Sequence, residues 1–435
     1  MLIALMPLTA RAEQPEGSGD TDPLLQAAES VMDRVEQLRG ISVDEPVRSA
    51  VVGRDDLRAM LVEEIERQLS PTQLASIDRL LTTLGVLRVD QDYIEILIDL
   101  LQEQIAGFYD DGEDVFYILD DMAIELQLPV MAHELFHAIQ DQSFLKGRSD
   151  VVTDLAIARS ALVEGDALAA MLVYSLDGTV ELDQIPFIDS ISESTPSADE
   201  GSEVDVPEVI WQQLTFPYTG GLTFALHLYR EGGWPAVNAV YLDPPDSAEQ
   251  VLHPERYLER DEPTWLEYDA AVGGARRYMS DVLGEFTWRG VLEQLAGDTL
   301  SESAILRALD GWDGDRIDAW VFDADPARDR LTVLTVWDSP DEALQFADAA
   351  ERLAPAWGAS GQVEELHAGL GGRRRVAASA ESAVLIDVRG DLVALVLDRG
   401  GAADQRADEA ATAADAIWCT HRRYAYPAAI DAPAP

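Results

Sequence analysis

His133 and His137 stand four residues apart in Val130-Met131-Ala132-His133-Glu134-Leu135-Phe136-His137-Ala138-Ile139. On a helix this spacing puts both imidazoles on one face, one turn apart, where they can reach a single zinc ion. Glu134 then lies where a carboxylate can take a proton from a metal-activated water. Leu128, Met131, Leu135, Ala138 and Ile139 make the segment an apolar, buried helix, and Pro129 suits its first turn. Three polar groups on such a helix need partners.

A zinc site that does chemistry keeps three protein ligands and one open position, so a third ligand must lie elsewhere. Continuation of the helix to a glycine and a third histidine is excluded, because those positions hold Gln140 and Ser143. Cys419, the single cysteine, stands near the far end of the chain in what reads as a different domain. Three downstream carboxylates remain. Asp141 is one turn beyond His137, and its short side chain would have to share a site fixed by two residues of its own helix. Asp154 opens the next helical pattern and reads better as an N-cap. Glu164 sits in Ala161-Leu162-Val163-Glu164-Gly165-Asp166-Ala167-Leu168, mid-way along a second apolar helix. A glutamate there needs a buried partner, and the adjacent glycine lets another element come close. Glu164 is therefore the preferred candidate.

This combination looks like the gluzincin class of zinc metallopeptidases. More narrowly, residues 132–142 together with 161–167 resemble a group of largely uncharacterised exported prokaryotic proteins. Supporting stretches are Gly107-Phe108-Tyr109-Asp110, Phe216-Pro217-Tyr218, His253-Pro254-Glu255-Arg256-Tyr257 and Gly311-Trp312-Asp313-Gly314-Asp315. The likeness runs roughly from Val47 to Trp337. It implies Zn2+ held by His133, His137 and Glu164, with Glu134 as general base, and a peptide or protein as substrate. The alternative is an exported zinc-binding or peptide-binding protein without catalytic activity. One position departs from the pattern. Better-known gluzincins often carry an aspartate four residues after the ligand glutamate, where this chain has Leu168. Asp166 points to a different side of the helix, which leaves the partners of the ligand histidines unassigned.

Hydrolysis of a carbonyl develops negative charge on its oxygen, which a tyrosine or histidine donor can offset. The candidates are Tyr218, His227, His253 and Tyr257. His253 and Tyr257 follow Pro244-Pro245 in an irregular stretch from which a side chain could reach a cleft. His227 shares its helix with Phe224, Leu226 and Tyr229 and reads as packing. His253 and Tyr218 are the catalytic candidates beside Glu134.

The elements that must position these residues are readable in outline. Apolar residues recur at helical spacing over 24–38, 55–69, 70–84 and 93–106, with a short strand near 47–53. The metal helices follow at about 129–142 and 154–174. Between them and the preceding helices, residues 114–120 read as a strand, rich in β-branched and aromatic side chains. In the resembling class an edge strand pairs with an extended substrate, and this strand is the candidate for that role. Helix resumes at 218–230 through Thr219-Gly220-Gly221. Beyond residue 301 the pattern alternates, with strands at 317–322, 331–337, 374–378, 383–388 and 392–397. Ser339-Pro340-Asp341-Glu342 opens a helix to Leu353, and another covers 403–418.

The expected fold class is α+β. A mostly helical, zincin-like metallopeptidase domain with a small sheet spans 24–300, and an antiparallel α+β domain spans 301–427. Residues 189–207, rich in Ser, Asp and Glu, read as an acidic flexible loop. Leu2 to Ala10 followed by Ala10-Arg11-Ala12 reads as a signal peptide over 1–12, with a linker over 13–23. The expected location is secreted or cell-surface. No stretch reaches the roughly 18 apolar residues of a membrane span.

The formal net charge is −50, from 81 acidic and 31 basic residues, and Lys146 is the only lysine. Such a surface disfavours nucleic acid and anionic membrane as partners. It has a halophile-like character, since at about 1 M salt the Debye length shrinks to roughly 3 Å and self-repulsion is screened.

Overall fold

The computed structural model describes residues 22–104, 107–145, 152–186, 188, 190, 204–367 and 372–426. The signal peptide read over 1–12, most of the linker over 13–23 and most of the acidic segment 189–207 lie outside the described residues. The fold is α+β. Among the described residues no helix is long and apolar enough to cross a membrane.

The chain enters through α1 (Pro23–Arg39), where the Asp22 carboxylate accepts from the Leu24 N–H and Gly40, at φ +68°, ends the helix. Then come β1 (Arg48–Val52), α2 (Arg54–Gln68), α3 (Pro71–Leu84) and α4 (Tyr93–Gln104). Ser70 and Gln73 form a capping box at the start of α3. β2 (Gly107–Asp110) and β3 (Val115–Leu119) lead into α5 (Ile124–Gln140), which carries both histidines and ends in a π turn, Asp141–Leu145. Pro129 is not in the first turn, because α5 begins more than a turn earlier. The carbonyl that its missing N–H leaves behind, that of Glu125, belongs to an exposed residue at the helix start, where water can satisfy it.

β3 is not an edge strand. The small sheet has the order β1-β3-β2, with β1 parallel and β2 antiparallel to β3. Burial on both faces explains the unbroken apolar run: Phe116 and Ile118 pack on α1 and α5, while Val115, Tyr117 and Leu119 face the larger core. The outer strand on that side is β2.

α6 (Thr153–Ser175) carries Glu164 and packs along α5. Its N-cap is Val152, not Asp154. Asp154 is instead buried inside the first turn and accepts from the Ala248 N–H, 3.0 Å away. The cap role passes to Asp281, which accepts from the Thr153 N–H and hydroxyl at 2.8 and 2.6 Å. α7 (Glu208–Val240) is far longer than the stretch 218–230, and is broken only at Gly232 and Gly233. α8 (Ala248–Leu252), α9 (Pro254–Glu259), β4 (Thr264–Glu267), β5 (Ala275–Asp281), α10 (Gly284–Ala296) and α11 (Glu302–Leu309) follow.

The second half is built on β6 (Trp312–Phe322), β7 (Asp325–Trp337), α12 (Pro340–Leu353), β8 (Val363–Leu366), β9 (Arg373–Ala378), β10 (Ser382–Arg389), β11 (Leu392–Arg399), α13 (Arg406–Thr420) and β12 (Arg422–Ala425). Seven strands make one antiparallel sheet, β5-β6-β7-β11-β10-β9-β8. Along β11, Val393, Leu395 and Leu397 face α12, while Leu392, Ala394 and Val396 face α13. Helices on both faces make the inner strands nearly continuous in apolar residues. β5 lies upstream of residue 301 yet forms an edge of this sheet, and one core runs from Leu57 in α2 through Trp288 and Trp337 to Leu397. The change of sequence pattern near 301 therefore does not coincide with a break in packing.

Surface ion pairs such as Arg34–Asp177, Arg58–Asp99 and Arg423–Asp391 tie down only some of the carboxylates, and each exposed pair is worth about 0–1 kcal/mol. Repulsion among the remainder is long-ranged in dilute buffer. The melting temperature is expected to rise by several degrees or more between about 0.1 M and 2 M salt, measured at constant metal occupancy. A flat or falling series would show that the acidic surface serves solubility alone.

Candidate metal centre

Three side chains from two helices meet at one point. His133 Nε2 lies 3.0 Å from Glu164 Oε2, His137 Nε2 lies 3.1 Å from His133 Nε2, and His137 Nε2 lies 3.4 Å from Glu164 Oε2. Among the described residues this is the one group of three or more histidine, cysteine or acidic side chains close enough to share a metal ion. His133 is 7% exposed. α5 presents both imidazoles because its opposite faces are fixed by Met131, Leu135, Phe136 and Ile139 against α1, β3 and α6.

Glu164 reaches the histidines because α6 and α7 touch backbone to backbone. A Cβ on Gly165 would stand 2.0 Å from the carbonyl carbon of Gly221, and one on Gly221 would stand 2.1 Å from the Ala161 carbonyl oxygen. Only glycine at both positions permits this approach. The same crossing brings Tyr218, one turn before Gly221, over the site, with its ring stacked on that of His133 at 5.8 Å between centroids.

Glu134 lies beside the triad. Its Oε2 accepts from the backbone N–H of Tyr109 on β2 at 3.2 Å, so the outer strand of the small sheet aims the carboxylate. Burial raises the Glu134 pKa and Glu164 adds to the rise, against the lowering effect of both imidazoles. Burial alone would raise that of Glu164 as well, but the imidazoles, His137 first, hold it far below the usual carboxylate range. His137 shows the reverse balance. Burial lowers its pKa, yet Glu164 and Glu134 push it up to about 9. Two carboxylates around two imidazoles thus favour a positive charge at their centre. Tyr218 is raised well above the ordinary phenol value by burial and by the charges of Glu164 and Glu134, and stays a neutral donor.

His253 is not brought to the triad. Its Nε2 pairs with Glu285 of α10 at 3.0 Å, at the junction of α8 and α9. The Tyr257 hydroxyl donates to the Asp243 carbonyl at 2.8 Å, and its ring packs edge-on to Phe224. His253 thus ties the α8–α9 junction to α10, and Tyr257 ties α9 to the carbonyl just before Pro244-Pro245.

Asp166 is hydrogen-bonded to Arg39 and Tyr241 rather than to an imidazole. The partner of His137 is Gln140, whose Oε1 is 2.7 Å from Nδ1. Its three-residue spacing from His137 on α5 is the one sequence signal that could have found it. Gln140 leads in turn to Tyr241, Asp166 and Arg39.

Residues 273–410 match the model of a domain of unknown function (DUF8575), a span from just before β5 into α13 that contains none of the triad. No curated protein matches the sequence. Among solved structures, the chain is similar to a Chloroflexus aurantiacus protein described as a candidate hydrolase with a novel fold, at 16% identity over 57% of this chain and 92% of that one, with a TM-score of 0.37. It is also similar to the extracellular domain of PknH from Mycobacterium tuberculosis, at 13% identity over 38% of this chain and 91% of that one, with a TM-score of 0.18.

Proposed function

We propose that the chain hydrolyses peptide bonds with a zinc ion held by His133, His137 and Glu164. The observation that carries this reading is the triangle of ligand atoms, with edges of 3.0, 3.1 and 3.4 Å. Tetrahedral zinc with bonds of about 2.0–2.1 Å holds its ligand atoms about 3.3 Å apart, so the donor set fits. Zinc in such a set supplies Lewis acidity that brings the ionisation of water near neutral pH.

The remaining steps belong to the protein. Glu134, aimed by the Tyr109 N–H and with its pKa raised by burial, takes the proton of the attacking water. Tyr218 donates a hydrogen bond to the carbonyl oxygen as negative charge develops there. As the carbon–nitrogen bond breaks, Glu134 returns the proton to the leaving amine. We place the protein outside the cell or at its surface on the strength of the apolar N-terminal run followed by a small-residue site.

The test is zinc content followed by digestion of casein in low and high salt. About one zinc per chain is expected. Glu164→Ala should lose it, whereas Asp154→Asn, which keeps the acceptor for the Ala248 N–H, should retain it. Wild-type protein that takes up no zinc on reloading would overturn the reading, as would equal loss of metal in both variants.

A further inference from the structure

Gln140 is fully buried and all of its amide hydrogens are committed. Its Nε2 donates to the Val163 carbonyl and to the Tyr241 hydroxyl, each at 2.8 Å. Turning the amide over would set its oxygen against the Val163 carbonyl, two acceptors face to face, so the orientation is fixed by its surroundings. Oε1 therefore faces His137, where it can only accept. In the neutral ring that binds a metal the proton must therefore be on Nδ1, which leaves the lone pair of Nε2 facing His133 and Glu164.

The network does not stop there. The Tyr241 hydroxyl donates to Asp166 Oδ2 at 3.0 Å. Asp166 in turn takes Arg39 Nη2 on both oxygens, at 2.8 and 3.1 Å, in a pair shut off from solvent. Arg39 is the last residue of α1. Its guanidinium lies 3.7 Å from the centre of the Trp234 ring and 4.9 Å from that of Phe136, which is on α5 between the two histidines, one residue before His137.

We propose that Gln140, Tyr241, Asp166 and Arg39 form a relay that holds His137 in its metal-binding tautomer, so that the N-terminal helix is a positioning element of the metal site. The inference rests on the zinc reading above and deepens it. It also makes α1 a working part of the mature protein, since removing it would strip Asp166 of its cation and free Tyr241 and Gln140 in turn.

The experiment measures zinc affinity by chelator competition in the full chain, with melting curves of each metal-free variant as the control for folding. Gln140→Leu should weaken zinc by about 10- to 100-fold. Tyr241→Phe, which removes one hydroxyl and little volume, should weaken it by about 3- to 10-fold, and Arg39→Met by a similar factor. In the Gln140→Leu background the Tyr241→Phe change should then alter affinity less than about twofold, because the link is already cut. If Arg39→Met does not fold, Tyr241→Phe and its double variant carry the test. Unchanged zinc affinity in Tyr241→Phe, or losses that multiply in the double variant, would overturn the relay. Wild-type protein that binds no zinc would instead overturn the reading beneath it.

Discussion

Glu134→Gln is expected to keep its zinc and to lose roughly 100-fold or more of peptide hydrolysis. Glutamine preserves the shape of the side chain and can still accept the Tyr109 N–H, so the structural contact survives. What disappears is the proton acceptor. The surroundings of Glu134 suit that role, since burial lifts its pKa against the lowering effect of the imidazoles and the strand N–H. Zinc content and casein turnover, measured on the same preparations, separate the two properties. Unchanged turnover would mean that another group activates the water, and loss of zinc would mean that Glu134 helps to hold the metal.

Gly165→Ala carries the second large effect, and its sign is the informative part. In an ordinary helix interior the change stabilises by about 1 kcal/mol. Here the new methyl would sit 2.0 Å from the Gly221 carbonyl carbon and 2.2 Å from its oxygen, atoms of a backbone that cannot rotate aside. Overpacking of this kind costs about 1–3 kcal/mol or more, which outweighs the gain. α6 and α7 must separate, and the residues flanking their contact are Glu164 and Tyr218. The variant is expected to melt several degrees lower and to bind zinc at least about 10-fold more weakly. A variant that melts higher than wild type with zinc affinity intact would show that the helices do not meet as described.

The parts of the site that could be read in the sequence are those set by local geometry. His133, Glu134 and His137 follow from the helical repeat alone, and Glu164 from the cost of a carboxylate in an apolar helix beside a glycine. What could not be read depends on residues far apart in the chain. Gln140 meets Tyr241 across 101 positions and Arg39 meets Asp166 across 127, and neither pairing leaves a periodic trace. His253 looked available because it follows two prolines, but Glu285, 32 positions on, occupies it.

The same division holds for the fold. The capped helices and the apolar inner strands of the large sheet were legible. β8, with Val363, Glu364 and Glu365 exposed, has no buried alternation to betray it, and β5 is half polar. The long helix α7 begins just past an acidic segment that carries no helical pattern, and its glycines and prolines, Pro217 and Gly220-Gly221, resemble a helix entry rather than the interior of one.

The most direct test of the account is a zinc-edge anomalous diffraction map from crystals of the zinc-loaded protein. The expected result is a single strong peak bonded to His133 Nε2, His137 Nε2 and one Glu164 oxygen, with Glu134 beside it and not coordinated. A peak at other residues, or no peak in that triangle while the protein digests casein, would contradict it.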